Sequence, residues 1–251
     1  MAYIPFLSAL EQMGIHPSVV AGSSVGAVIG GLYAAGRTPA DITEIIERFK
    51  PRRMGEFFSI NWRGPGIIKS ASVRKFLIDN LPVTTFEQTR TPFVTVATDY
   101  WRRDQVVFRS GSLVDAITAS TAVPGLFEPA CVDGRILIDG GITNTLPYDL
   151  ISDDCDAVIA LDVSNRTENA DRNDLPSGAE MILNTFRILT DRQTEAKVAY
   201  NPPALHFRLK LPFVEVLDFH KYQEVFEKVG PEVDRFNDEV QSVTQLAEPQ
   251  S

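Results

Sequence analysis

The sequence has few of the residues that build disulfide frameworks and metal sites. Of its 251 residues, only two are cysteine and three are histidine. Cys131 and Cys155 do not form a C-x-x-C pair, and the histidines are widely separated along the chain. We therefore expect neither a disulfide framework nor a zinc site.

Positive charge is also scarce. The 24 lysines and arginines are outnumbered by 33 aspartates and glutamates, which gives a net charge of −9. A chain of this charge repels polyanions, so nucleic acid is not expected as a partner. One stretch departs from this balance: Arg48 to Lys69 contains six basic residues and a single acid, Glu56, among several aromatic residues.

Long apolar runs and targeting signals are missing as well. The first apolar stretch is interrupted by Pro5 and Glu11 and has no basic region before it, which does not support a cleavable signal peptide. The uncharged stretch Pro17 to Gly36 contains five glycines, and its helical part would rise only ~18 Å against a hydrocarbon core of ~30 Å. We expect a cytoplasmic chain without a transmembrane segment.

The spacing of apolar residues predicts strands and helices that alternate along one α/β domain. Strand patterns lie at 18–21, 93–98, 105–108, 130–138, 157–163 and 205–209, with a hairpin signal at Asp133-Gly134. Helical spacing lies at 3–13, 24–35, 39–51, 72–80, 113–121, 179–198 and 224–240. We expect a single domain, 1–251, with its core at about 1–165 and C-terminal helices and a strand at about 175–242.

The segment Gly22-Ser23-Ser24-Val25-Gly26 matches the G-x-S-x-G motif between a predicted strand and a predicted helix. This context is typical of a nucleophile elbow, in which flanking glycines let backbone pass close to the serine. Ser24 would stand at a helix N-terminus, where free N–H groups favour developing negative charge. By composition the pattern arises by chance in about one chain of this length in ten, so a glycine-rich helix with an incidental serine remains the alternative.

A serine hydroxyl needs a base, and Asp139 is the best candidate. In Leu137-Ile138-Asp139-Gly140-Gly141 the carboxylate directly follows an apolar strand, and two glycines allow backbone or substrate to come near. Burial in an apolar pocket would raise the pKa of Asp139 toward that of a general base. The alternative is that Asp139 only caps a turn, as Asp-Gly pairs often do.

Histidine offers a second route to a base. His206 or His220 would fit the Ser, acid, His order of an α/β-hydrolase triad. That fold places most of its sheet before the elbow, however, and only 23 residues precede Ser24. His206 lies in an alternating strand pattern and His220 in a polar run, so we expect both to be structural, with the triad as the alternative.

Three strings of the sequence together resemble the bacterial branch of the patatin-like phospholipase family: Val20 to Gly36, Ala119 to Phe127, and Asp139 to Asn144 with Leu146-Pro147. The resemblance covers most of the chain, with the motifs in the right order. It implies a three-layer α/β/α fold with a mostly parallel central sheet, and hydrolysis of lipid acyl esters by a Ser/Asp dyad without histidine, metal or cofactor. By motif position the nucleophile is Ser24 and the base is Asp139, in the D-G-G motif with Gly140 and Gly141.

One part of the family pattern is missing. Members begin with a strand and a glycine-rich loop whose N–H groups bind the oxyanion, whereas this sequence opens at Met1-Ala2-Tyr3 with the helix that follows such a loop. We therefore expect an N-terminally incomplete domain, with Val25 N–H as the remaining oxyanion donor and a reading frame that continues upstream. Losing one donor typically costs on the order of 10²–10³ in turnover, so a non-catalytic lipid-binding protein is the rival hypothesis.

The stretch Arg48 to Lys69 is the candidate for peripheral membrane contact. Phe57, Phe58 and Trp62 would enter the lipid interface while arginines meet phosphates. The alternative is a covering helix and loop whose aromatic residues close the core and whose charges are solvated.

Overall fold

The computed structural model describes residues 1–48, 68–163, 175–209 and 222–247. Within these ranges the strands are β1 (Val20–Gly22), β2 (Phe93–Asp99), β3 (Asp104–Phe108), β4 (Ala130–Val132), β5 (Arg135–Asp139), β6 (Ile159–Asp162) and β7 (Leu205–Arg208). The α-helices are α1 (Ile4–Gln12), α2 (Val25–Ala34), α3 (Pro39–Arg48), α4 (Ser70–Asn80), α5 (Leu113–Ser120), α6 (Gly141–Asn144), α7 (Gly178–Tyr200) and α8 (Tyr222–Ala247). The predicted three-layer α/β/α arrangement is confirmed.

Strand β2 is the centre of the main sheet, and all seven of its residues are buried. β1 runs parallel to its first half, with Gly22 opposite Thr95. β5 runs antiparallel to its second half, with Asp139 opposite Ala97. β3 pairs with one edge of β2, from Thr95 to Asp99. β1 and β5 therefore both pair with the opposite edge of β2, one after the other. The two strands therefore run toward each other and end on either side of Val96.

The sheet contains both strand directions. In it β1 and β2 are parallel, and β6 and β7 form a separate two-stranded parallel sheet. The pairings of β2 with β3, β2 with β5 and β4 with β5 are antiparallel, so the expectation of a mostly parallel sheet does not extend to them. The short connections explain two of these pairings, β2 with β3 and β4 with β5, because a few residues can join only antiparallel neighbours. β5 follows β2 by 35 residues and is not constrained in this way. At the predicted hairpin, Asp133 and Gly134 have φ of 50° and 72°.

Among the described residues, the two largest of four apolar clusters pack helices against the sheets. One lies around Leu32 of α2 and Ile117 of α5, which are 1% and 0% exposed, and includes residues of α3, α4 and β2. The other joins α1 to β7 and α8 through Phe6, Phe207 and Phe236, whose ring centroids are 5.1–5.3 Å apart. Burying such rings contributes strongly to stability, so α1 links the first residues of the chain to its last described helix.

The longest helices are α7, with 23 residues, and α8, with 26. Both carry charged residues along their length. Among the residues that the structure describes, no helix is both long enough and apolar enough to cross a bilayer. The bounds of the predicted domain, 1–251, stay a prediction.

Candidate active site

Ser24 occupies the sharp turn between β1 and α2. Its φ is 52° and its ψ is −123°, a combination that residues with a side chain rarely adopt. Hydrogen bonds from Gly26 N to Ser23 O (2.8 Å) and from Ala27 N to Ser24 O (2.9 Å) close the turn. Strain of this kind persists where the surrounding structure enforces it. The strand, turn and helix around Ser24 match the predicted nucleophile elbow.

The two glycines of the motif differ in how much space surrounds them. A Cβ on Gly22 would lie 2.3 Å from Gly26 O, far inside van der Waals contact, so this position accepts only glycine. A Cβ on Gly26 would find Tyr3 Oη as its nearest neighbour, at 3.8 Å. The expectation that both glycines permit a close backbone approach is therefore correct for Gly22 and wrong for Gly26.

Ser120, at the end of α5, ties the elbow to the chain beyond β5. Its side chain is fully buried, and its hydroxyl accepts a hydrogen bond from Ser24 N at 3.0 Å. Its carbonyl accepts one from Gly140 N at 3.2 Å. Sequence reasoning missed this residue, although it lies in the string Ala119 to Phe127 that carries the family resemblance.

Asp139 ends β5 on the far side of Val96 from the end of β1. The residue is 0% exposed. Its N–H donates to Ala122 O at 3.0 Å, and its carbonyl accepts from Thr98 Oγ1 at 2.9 Å. These two bonds fix the backbone of Asp139 where the strand ends.

The carboxyl oxygens of Asp139 have different surroundings. Oδ1 accepts a hydrogen bond from Gly141 N at 2.7 Å, whereas Oδ2 is buried and has no hydrogen-bond partner among the described residues. Burial raises the pKa of Asp139 from 3.8 to about 6, and the Ser24 hydroxyl and Gly141 N–H oppose that rise. The Ser24 hydroxyl thus interacts with the carboxyl without completing a hydrogen bond of ordinary geometry to Oδ2.

The glycines after Asp139 leave no room for side chains. A Cβ on Gly140 would lie 2.2 Å from Val96 O, and a Cβ on Gly141 would lie 2.9 Å from Asp139 Oδ1. The predicted close approach of another backbone therefore occurs at Gly140, where the backbone concerned is β2, whereas the atoms nearest Gly141 belong to side chains.

Val25 is the first residue of α2. Its N–H has no acceptor in its own helix, because the first four N–H groups of an α-helix lack intrahelical partners. The helix dipole also favours negative charge at this end. The position thus has the properties that the sequence predicted for an oxyanion donor.

The histidine alternative has no support at the elbow. His206 lies on β7, and its Nε2 is 3.3 Å from Oδ2 of Asp162, which is buried. The ring therefore has a carboxylate partner in a separate sheet, as expected of a structural histidine. His220 lies outside the described residues, and in the part of the chain that is described no cluster of His, Cys, Asp or Glu could hold a metal ion.

A cavity of about 370 Å³ lies beside the elbow. Residues of β1 and β6 line it, together with Tyr3, Leu7 and Gly26. The cavity is therefore adjacent to the candidate site, and its wall does not include Ser24 or Asp139.

Comparison with known proteins identifies the family. A family model described as patatin-like phospholipase matches residues 1–151. An uncharacterised NTE family protein of Mycobacterium tuberculosis is 36% identical over 146 residues, which is 58% of this chain and 40% of that protein. A patatin-like phospholipase domain-containing protein of Caenorhabditis elegans is 29% identical over 90% of this chain and 19% of its own length.

Human patatin-like phospholipase domain-containing protein 6 is 25% identical over 90% of this chain and 18% of its own length. The chain thus spans less than half the length of these relatives. The crystal structure of VipD from Legionella pneumophila is 12% identical, with a TM-score of 0.48 over 93% of this chain and 64% of VipD. With the family model matching more than half of its 251 residues, the chain belongs to the patatin-like phospholipase family.

Proposed function

We propose that the protein hydrolyses acyl esters of lipids, with Ser24 as nucleophile and Asp139 as general base. Membership of the family supports the class of reaction. The observation that carries the proposal is the meeting of β1 and β5 beside Val96, which brings a strained serine and a fully buried carboxyl to one place. A paired nucleophile and base is what covalent acyl transfer requires.

In the first half of the reaction, Ser24 Oγ attacks the ester carbonyl and its proton passes to Oδ2 of Asp139. The tetrahedral oxyanion accepts a hydrogen bond from Val25 N–H. The intermediate then collapses, the bond to the alcohol breaks, and the proton on Asp139 passes to the leaving oxygen. The acyl group is now an ester of Ser24.

In the second half, water replaces the alcohol. Asp139 takes a proton from the water as its oxygen attacks the acyl-enzyme carbonyl, and the bond to Ser24 Oγ breaks. The proton returns to Ser24, the fatty acid leaves, and the free enzyme is restored.

The surroundings of Asp139 suit this role. A pKa of about 6 leaves the carboxylate mostly ionised at neutral pH and makes it a stronger base than an exposed aspartate. Gly141 N–H occupies Oδ1, so the unpartnered Oδ2 is the oxygen available for the proton.

A fluorophosphonate probe and two substrates, a phospholipid and a short-chain soluble ester, test the proposal. We expect the probe to label the wild type and Ser23→Ala but not Ser24→Ala, and Ser24→Ala and Asp139→Asn to lose hydrolysis of both esters. Ser23→Ala is a matched control because it removes a neighbouring buried hydroxyl that has no hydrogen-bond partner. Full labelling or turnover in Ser24→Ala would refute the assignment.

The same experiment separates the rival functions. A non-catalytic lipid-binding protein predicts no labelling and no turnover in the wild type. A conventional triad predicts that His206→Gln abolishes turnover, whereas the pairing of His206 with Asp162 predicts that this variant retains it.

Membrane contact through Arg48 to Lys69 stays a prediction, because 49–67 lie outside the described residues. Replacing Phe57, Phe58 and Trp62 with serine tests it. If the segment meets lipid, the variant loses vesicle binding and keeps hydrolysis of the soluble ester. Equal loss of both activities would indicate that these aromatic residues close the core. The expected cytoplasmic location also stays a prediction.

A further inference from the structure

The first half of α7 presents apolar side chains to solvent. Met181, Ile182, Ile188 and Leu189 are 57%, 65%, 61% and 65% exposed. Between 178 and 189, none of the side chains that the structure describes is buried. Isolated exposed apolar residues are ordinary, but a contiguous group normally marks a binding surface.

The four side chains form one stripe. Met181 and Ile188 are seven residues apart, as are Ile182 and Leu189, so each pair lies on the same helix face two turns apart. From Met181 to Leu189 the stripe is therefore about 12 Å long. We call these four residues the α7 stripe.

Phe186 joins the α7 stripe to the candidate active site. It lies on the same helix between the two pairs, and its Cζ is 3.6 Å from the position of a Cβ on Gly141. Gly141 is the residue whose N–H holds Oδ1 of Asp139. The exposed apolar surface and the proposed general base are thus linked through one aromatic contact.

The second half of α7 fixes the helix in this position. Gln193 Nε2 donates to Thr143 O at 2.9 Å, and Lys197 Nζ donates to Leu146 O at 3.0 Å. Both acceptors lie in the segment that follows Asp139. The anchored half therefore holds the exposed half beside the site.

We propose that the α7 stripe docks on the surface of a lipid aggregate and holds the active site against it, an inference that rests on the proposed function. The stripe is purely aliphatic, which suits fluid hydrocarbon. A stable protein partner would need about 800 Å² on each side and a polar rim, more than a two-turn stripe supplies. The net charge of −9 disfavours anionic lipid, so the surface is zwitterionic and the binding resists salt.

Flotation with phosphatidylcholine vesicles tests the proposal. The starting protein is Ser24→Ala, so that no hydrolysis alters the vesicles. Adding Met181→Ser, Ile182→Ser, Ile188→Ser and Leu189→Ser should lower the partition coefficient at least tenfold, with little change at high salt. The matched control adds Ile78→Ser and Val107→Ser, which replace residues on α4 and β3 that are 53% and 39% exposed, and should change binding less than twofold.

Three further measurements decide the outcome. With Ser24 restored, the stripe variant should hydrolyse a soluble short-chain ester within twofold of wild type, and thermal unfolding should match. Unchanged vesicle binding in the stripe variant would overturn the proposal. So would conversion of a dimer to a monomer in sedimentation with no change in vesicle binding, because the stripe would then be an interface between two copies.

Failure of the proposed function gives a different result. Stripe-dependent vesicle binding without any ester hydrolysis in the Ser24 form would leave the docking surface in place and remove only the catalytic assignment.

Discussion

The backbone N–H of Ser24 donates a hydrogen bond to the hydroxyl of Ser120 at 3.0 Å. Ser24 is held at φ 52°, and an unpaired N–H there would add the cost of an unsatisfied polar group to that of the strained backbone. The Ser120 carbonyl also accepts a hydrogen bond from Gly140 N, next to Asp139. One buried residue thus holds the backbone at both members of the candidate dyad. Ser120 is therefore a positioning residue.

Ser120→Ala removes the acceptor for Ser24 N–H without adding volume. We expect kcat for a soluble ester to fall by about 10–100-fold, with KM within about threefold, because small misplacements of reacting groups are costly. Ser152→Ala is the control, since it also removes a serine hydroxyl that is hydrogen-bonded to the backbone, in this case by donating to Tyr148 O. Equal kcat in the two variants would contradict the positioning role.

The pH dependence of turnover should follow Asp139. Burial raises its pKa to about 6, and only the ionised carboxylate accepts the proton of Ser24. We expect kcat/KM for a soluble ester to rise with pH, with a midpoint at about 6, and to level off above about 7. The measurement is initial rate from pH 4.5 to 8.5, and a flat profile across pH 5–7 would be inconsistent with this base.

Asp139→Asn should stabilise the fold at neutral pH. The pKa of Asp139 is about 6 in the folded chain against an ordinary value of 3.8. Between these pH values the carboxyl is protonated in the folded state and ionised in the unfolded state. The free energy of unfolding therefore falls as pH rises through this range. Above pH 6 the buried charge costs about 3 kcal/mol. Measured by urea denaturation, the variant's free energy of unfolding should exceed that of the wild type only slightly at pH 4 and by the largest amount above pH 6.

The matched variant for that comparison is Asp153→Asn, at an exposed aspartate. It should give the same difference from wild type at both pH values. If Asp139→Asn raised the free energy of unfolding equally at pH 4 and pH 7.5, the wild-type fold would not contain a buried ionised carboxylate at neutral pH.

Gly22 and Gly26 should respond oppositely to alanine. Gly22→Ala places a Cβ 2.3 Å from a backbone carbonyl, so we expect it to unfold the elbow and lower the thermal midpoint sharply. Gly26→Ala meets nothing closer than 3.8 Å and replaces glycine within a helix, which favours folding by up to about 1 kcal/mol. Calorimetry of the two variants tests this, and equal destabilisation would argue against the observed turn.

Local sequence signals placed Ser24 and Asp139 in the correct secondary structure. The change from strand to helix periodicity at Gly22 predicted the elbow, and β1 and α2 confirm that order. Asp139 was expected at the end of an apolar strand, and it ends β5. Both predictions succeed because each depends on residues that are neighbours in the chain.

Relationships between distant segments were not predictable in the same way. Nothing in the sequence near Arg135–Asp139 indicates that this strand lies antiparallel on β2, end to end with β1. Ser120 is one small polar residue in a helix that is buried almost throughout, and its two bonds to the site depend on tertiary packing. Gly26 fits the motif, yet its surroundings would admit a side chain.

The end-to-end meeting of β1 and β5 on one edge of β2 also determines when a reaction centre can exist. Its parts come from widely separated stretches of chain, and they come together only after both strands have paired with a third. Such long-range pairing forms slowly, because the entropy cost of closing the loop arises before the stabilising contacts form. A nascent chain that stops short of Asp139 therefore lacks one member of the proposed dyad, and the two residues come together only once the sheet is assembled.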